Sequence, residues 1–551
     1  MRPQRRNRLL AVVLSAATAS TLLAGCSAAD QSAQAVGEPK SGGTVTYLEP
    51  QAFSGLYPPA AGFYPNGSIV NNLTDRLLYQ NPETLELEPW IASALPAVNA
   101  DATEYTFRLR EGVTYSDGTP LDAANVVKNF DLYGKGDKQR KLTVSEALNN
   151  YDHAEAVDEH TVRFHFSAPA PGFAQATSTI NSGLLSNATL DRDSEGFAPG
   201  QAKQIVGSGP FVVTDEQLNT EYTLTAREGY DWAPPSLAHQ GRARVDAVKV
   251  VVTPESSIRV GTLVAGQADV ARQIDPPDEA QVTGAGQSLH VASTNGIDNA
   301  LQFRFRDRRL SDIRVRQALI AGVDRQQILD QLYTASYPLA TSPLAKSALG
   351  YKDESAAYRY DRPRARDLLD EAGWHVGDDG IRTKDGERLT LTVNHAIPLP
   401  RSKELVTILQ EQLKEVGVEV RLFQGDQAAQ NAAALDQDTV QVYHQMVGRA
   451  DYDVIKSQYS GDNRNVFLNL DKTDGSYGDP HLEELLHAVA SRPSAEERQR
   501  ASEAVQDYVT EQAYVLPIYE EPLVYGTSSA VQGFDTESVG RPSFYSLWLN
   551  R

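Results

Sequence analysis

Cysteine is nearly absent. The 551 residues hold one, Cys26, together with two methionines and four tryptophans. A single thiol excludes an internal disulfide, a zinc site built on cysteines and a thiol-based catalytic pair. Recognisable catalytic motifs are missing as well. There is no Gly-x-Ser-x-Gly elbow, no His-Glu-x-x-His and no glycine-rich loop ending in Lys-Ser/Thr, and Gly134-Lys135-Gly136-Asp137 lacks the spacing of such a loop. Metal-ligand spacing is thin. Asp191-Arg192-Asp193-Ser194-Glu195-Gly196 begins like a calcium loop, but its twelfth position is Ala202. His481 and His487 are six residues apart, off any one helical face, while His160 and His165 fall on opposite sides of a strand region. No metal and no cofactor is expected. Positive charge is scarce too, 51 Lys and Arg against 72 Asp and Glu for a net charge of −21. Such a body repels nucleic acid and anionic lipid headgroups, so neither is expected as a partner.

What is present begins with a leader. Arg2, Arg5, Arg6 and Arg8 precede an uncharged run from Leu9 to Gly25 that ends Leu23-Ala24-Gly25-Cys26. A cationic start, a short apolar stretch rich in Ala, Ser and Thr, and small residues before the end make the order of an export signal; a permanent span needs about 20 strongly apolar residues. Small residues directly before a lone cysteine resemble the lipobox of bacterial lipoproteins, in which the thiol is diacylated and becomes the first residue. Residues 1–25 are thus expected to be a lipoprotein signal peptide and Cys26 the lipidation site. An ordinary secretory signal cut near Ala28-Ala29 is the alternative. Cleavage would remove four arginines and no acid, and acyl chains would hold the acidic body at the membrane face at about 0.8 kcal/mol per buried CH₂. Residues 26–42 read as a flexible tether.

The body exceeds what one hydrophobic core usually holds, so two or three domains are expected. Strands are predicted at Thr44–Leu48, at Glu104–Arg110, where Tyr105, Phe107 and Leu109 alternate, and around Val162, Phe164 and Phe166. Ile69, Leu73 and Leu77 predict a helix over 69–79. Asp122 is expected to cap a helix through Phe130, and Asp324 with Gln327 reads as a capping box. Gly207-Ser208-Gly209-Pro210-Phe211 marks a tight backbone passage. Later, Asp361 and Gly373 bracket a helix, and a strand at 389–395, a helix at 401–416 ended by Gly417 and a strand at 418–423 follow in order. That order predicts parallel pairing with a crossover helix, hence an α/β fold.

Four phrases carry a family likeness: Tyr105–Val113 with Ser116–Leu121 and Ala124–Val127; Gly207–Phe211; Asp312–Leu319 with Asp324-Arg325; and Ala365–Trp374. In this order and spacing the chain, from about Gly43 to its end, resembles the family 5 extracellular solute-binding proteins that feed ABC importers, the oligopeptide, dipeptide and nickel-binding type. The resemblance implies a two-lobed, class II periplasmic-binding-protein fold with an extra α+β subdomain in the first lobe. Lobe I would hold 41–65, 206–293 and 520–551, the extra subdomain 66–205 and lobe II 294–519, with hinges near Asn295–Gln302 and Pro517–Pro522. It also implies a monomeric receptor, with no enzymatic activity, that passes a peptide or peptide-like solute to ABC permease subunits. An opine, a metal chelate or haem is the alternative cargo, and an exported hydrolase the reading from another class.

The resemblance further implies site residues. A buried aspartate anchors the ligand ammonium in peptide binders of the family, and Gly448-Arg449-Ala450-Asp451-Tyr452-Asp453 stands in its place. Asp451 is therefore the expected anchor, Asp453 the fallback and Arg449 a cation for another ligand. Tyr443, Gln445 and Tyr452 are expected at the same cleft edge. Two positions depart from the family. Gly448 stands where many peptide binders have a pocket-lining tryptophan, and Ala396 where dipeptide binders place a carboxylate-gripping arginine, with His395 and Arg401 nearby.

Overall fold

Thr390–Asn394 and Glu419–Phe423 pair in parallel, Thr390 opposite Glu419, with the helix Ser402–Lys414 between them in the chain. Apolar residues of that helix recur at Leu405, Val406, Leu409 and Leu413 and are buried, the spacing of a helix lying on a sheet. It ends where Gly417 adopts φ +90°, a conformation that suits glycine. Val442–Val447 extends the sheet in parallel, and Ile297–Phe303 and Val515–Tyr519 complete it in antiparallel sense, giving five strands. This computed structural model describes residues 37–551 apart from 398, 435, 437, 462–468 and 471–473, so Cys26 and the leader lie outside the described residues. Among the described residues no helix is long and apolar enough to cross a membrane.

A seven-stranded mixed sheet is drawn from three distant stretches. Its order is Ser288–Ser293, Pro522–Thr527, Val270–Arg272, Thr44–Glu49, Ala247–Val252, Glu221–Ala226 and Phe211–Gln217. Thr44–Glu49 sits between two parallel neighbours, Ala247–Val252 on one side and Val270–Arg272 on the other. A third sheet is antiparallel, with Ala97–Val98, Glu104–Arg108, Thr161–Phe166 and Tyr151–Asp158 side by side. The helix Ala123–Lys135 covers it, Phe130 meeting Phe164 edge-on at 4.9 Å between centroids. The fold is α/β and two-lobed.

Three predicted caps are present: Asp122 accepts from Asn125 N at 2.8 Å, Asp324 from Gln327 N at 3.0 Å and Asp361 from Arg364 N at 2.9 Å. The capping box at Asp324 is only half made, because the Gln327 side chain instead accepts from Gln412 Nε2 at 2.7 Å. The helix expected over 69–79 is displaced and runs Tyr64–Leu73. It stops early because Gly209 N donates to Leu73 O at 2.9 Å, taking a helix-end carbonyl, and Asp75 turns inward to accept from Trp232 Nε1 at 2.8 Å. A Cβ on Gly207 or Gly209 would overlap the Leu73 carbonyl, which explains the tight passage.

The chain passes from the larger sheet to the five-stranded one through Thr294–Gly296 and returns through Glu520-Glu521. The connectors lie side by side, Thr294 Oγ1 donating to Glu521 O at 2.9 Å. Apolar packing is continuous from Leu48, Ala271 and Ile274 of one sheet region to Leu301, Phe303 and Ile518 of the other.

Candidate functional site

Two parallel strands end together at the start of the site. Thr44–Glu49 and Val270–Arg272 are in register, so Glu49 and Arg272 stand side by side at their carboxyl ends. Arg272 Nε donates to Glu49 Oε1 at 2.8 Å and Nη2 to the same oxygen at 2.5 Å, with both side chains almost fully buried. The Glu49 charge and hydrogen bonds outweigh the burial that would otherwise lower the Arg272 guanidinium, which is raised. Crevices outside the carboxyl ends of strands, where crossovers diverge, are the usual ligand position in open α/β sheets.

A cavity of about 260 Å³ opens there. Arg272, Gln273, Ile274 and the strand start Pro522–Val524 form one wall. Asn394–Ile397 and Tyr443–Met446, from two inner strands of the five-stranded sheet and the loop after one of them, form the other. Tyr64, Tyr337 and Glu521 close the space between them. The walls therefore belong to two different sheets, and the two connectors run beside it.

Behind the second wall runs a buried polar chain. His444 Nε2 lies 2.6 Å from Asn299 Oδ1 and its Nδ1 3.0 Å from Ser402 Oγ. Asn299 Nδ2 donates to Tyr519 Oη at 2.7 Å and to Glu521 Oε2 at 3.1 Å. With the Asn299 amide so oriented, His444 donates from Nε2 and accepts at Nδ1. Burial, aided by His395, lowers the His444 pKa to about 3, so the ring is neutral. Ser402 is no nucleophile despite its histidine. It is buried, accepts from Ala396 N at 2.9 Å and is not part of the cavity wall.

Of the residues expected at the site, His395, Tyr443 and Gln445 line this cavity, as does Ala396. Arg449, Asp451 and Tyr452 do not line it. Arg449 Nε and Nη2 reach the two Asp451 oxygens at 2.8 and 3.0 Å, so that carboxylate already has a cation. The segment is held from outside, Gln80 Nε2 donating to Ala450 O at 2.8 Å. Tyr452 lies under the Arg498 guanidinium at 4.9 Å, and Asp453 pairs with Arg498 at 2.6 Å. A side chain at Gly448 would meet Val539 and Tyr64 directly, so the space for a tryptophan there is filled. Sequence reasoning missed Arg272, Glu521, Tyr64 and Tyr337. Only Glu521 carried a signal, as one of two adjacent acids in the segment expected to cross between lobes.

Residues 86–475 match the family model described as bacterial extracellular solute-binding proteins, family 5 middle. The chain belongs to that family. Its members bind solutes and are not enzymes, which sets aside the exported-hydrolase reading. Protein XP55 of Streptomyces lividans is 26% identical over 488 residues, 88% of this chain and 84% of that one. Among solved structures, the ABC transporter substrate-binding protein CtaP of Listeria monocytogenes has a TM-score of 0.77 at 21% identity, covering 93% of this chain and all of that one. The oligopeptide-binding protein AppA of Bacillus subtilis, solved with a nonapeptide, has a TM-score of 0.73 at 18% identity, with 93% and 100% covered.

Proposed function

We propose that the chain is a lipid-anchored receptor on the outer face of the cell membrane that captures a peptide or peptide-like solute and delivers it to an ABC permease. One observation carries this reading: the cavity at the carboxyl ends of the strands that bear Glu49 and Arg272 is walled by two sheets, between which the chain passes through two paired connectors. Lobe I comprises 41–65, 206–293 and 520–551, with 66–205 as its extra subdomain, and lobe II comprises 294–519. The distribution of strands among the three sheets supports this division. Thr294–Gly296 and Glu520-Glu521 act as hinges, and the lobes close on the solute by a hinge motion of the known kind.

His395, Tyr443 and Gln445 contact the solute from lobe II. The cavity is near the small end of ligand sites, which run from about 300 Å³ upward, so a short peptide or a molecule of that size fits better than a long one. The peptide bound to AppA supports the class of cargo. Arg449 and Asp451 hold each other outside the cavity lining, so Asp451 would grip an ammonium only by giving up its arginine. The protein acts as a monomer.

Native mass spectrometry of the receptor purified from its own cells tests the reading. A co-purified peptide or peptide-like compound is expected; an opine, chelate or haem in its place would redirect the cargo and leave the receptor role. For the anchor, Cys26→Ser is expected to abolish incorporation of labelled palmitate and release the protein from membranes. Full membrane retention of a still-acylated variant would rule the lipid anchor at Cys26 out.

A further inference from the structure

Glu521 is the one acid among the residues lining the cavity, and it makes no ion pair with any Lys, Arg or His among the described residues. It is 7% exposed. Its partners are neutral donors, the Asn299 amide at 3.1 Å and the Tyr519 hydroxyl. Beyond them stand Tyr333, Tyr337 and neutral His444, and the nearest guanidinium on the cavity wall, Arg272, is engaged by Glu49. A carboxylate taken out of water without a cation is costly, and proteins seldom keep one unless a partner arrives. Of the other buried acids nearby, Glu49 has Arg272, Asp451 has Arg449 and Asp453 has Arg498, while the Asp298 carboxylate has no hydrogen-bond partner among the described residues and does not line the cavity.

Two further observations point the same way. Tyr337 also lines the cavity, and aromatic faces attract ammonium and guanidinium groups. On the opposite wall, the Gln445 Nε2 group is buried without a hydrogen-bond partner, a donor available to a carbonyl or carboxylate oxygen. The cavity thus offers an acceptor with negative charge beside the connectors and a free donor on the other sheet.

We propose that Glu521 is the anchor for a cationic group of the solute, an ammonium or guanidinium, with Gln445 holding an oxygen of the same molecule. This rests on the receptor reading above and names the chemistry its cargo carries. The Asp451–Arg449 pair is then a structural clasp and not the anchor. Because burial raises Glu521 to about 7, binding a cation ionises it and releases a proton to solvent.

The test uses the full-length protein in detergent and a random tripeptide library without Lys, Arg or His, offered with free and with acetylated amino termini. Wild type is expected to retain the free-amine library at least tenfold better, and better at pH 8 than at pH 5. Glu521→Gln, which keeps the shape and the Asn299 contact, is expected to abolish that preference, and Asp451→Asn to keep it. Equal retention of both libraries by wild type, or loss of preference in Asp451→Asn alone, overturns the anchor and leaves the peptide receptor standing. If wild type retains neither library, the peptide reading falls, and putrescine, choline and free arginine decide the anchor. Retention lost in Glu521→Gln supports it, and no retention of any cation overturns it. Should Glu521→Gln not fold, the pH dependence of wild-type retention decides: no gain between pH 5 and pH 8 refutes the anchor.

Discussion

Arg449 and Asp451 face each other two residues apart and share two hydrogen bonds, 2.8 Å from Nε and 3.0 Å from Nη2. Asp451 is almost fully buried and Arg449 about a quarter exposed. Removing the aspartate leaves a cation in a poor environment. Asp451→Ala is therefore expected to lower stability by about 2 kcal/mol, below the 3–5 kcal/mol of a fully buried pair because water reaches the arginine. Urea unfolding measures this. An unchanged midpoint would mean that the pair contributes nothing.

The Glu49–Arg272 pair is drier, and its loss is expected to cost more. Arg272→Met should destabilise by about 3–5 kcal/mol, since Glu49 would remain buried alone. The double variant Glu49→Gln, Arg272→Met should regain most of that loss. Chemical denaturation of the three variants checks the ordering; a double variant no better than the single one would contradict it.

Gly296 lies in the first connector, where an added Cβ would overlap the Val447 carbonyl oxygen. Backbone cannot rotate aside as a flexible side chain can. Gly296→Ala is expected to cost about 3 kcal/mol or to shift the connector and weaken solute binding. A thermal midpoint within a degree of wild type would show that the connector yields freely.

His444 and Glu521 give opposite pH dependences. His444 ionises near 3 in the folded chain against an ordinary 6.5, so its contribution is complete above pH 6.5 and is lost as pH falls. Between pH 7 and pH 5 that loss is about 2 kcal/mol. Glu521, raised from 4.5 to about 7, does the reverse: stability is greatest below its unfolded value and falls as pH rises toward 7. Relative to wild type, His444→Gln should become less acid-sensitive over this range. Glu521→Gln should gain stability as pH rises. Denaturant midpoints at pH 5, 6 and 7 separate the two, and parallel curves for all three proteins would contradict both.

Local signals were legible. Asp122, Asp324 and Asp361 cap the helices that follow because each bonds an amide within three residues, a relation visible in one stretch of chain. The end of the helix Tyr64–Leu73 was not legible. Its terminator, Gly209, is more than a hundred residues away, and apolar spacing at 69–77 continues past the stop. The site divides the same way. Tyr443 and Gln445 follow from strand order and reach the cavity, as does His395, which the family likeness placed beside Ala396, whereas Tyr452, expected at the same edge, does not, and Asp451, singled out by likeness to a motif, has its carboxylate taken by a neighbour.

Composition and order alone determined that this chain holds no internal disulfide, is acidic and builds an α/β body from strand–helix–strand units. Those are properties of short windows and sums, which need no knowledge of distant contacts. Only the tertiary structure decided which acids are paired. Glu521, Asn299 and His444 come from three separate stretches and meet because the connectors and two sheets bring them within hydrogen-bond distance. Pairing and burial are set by packing across the whole fold, and on them depends whether a carboxylate is a brace, as at Asp451 and Glu49, or is left facing the cavity without a cation, as at Glu521.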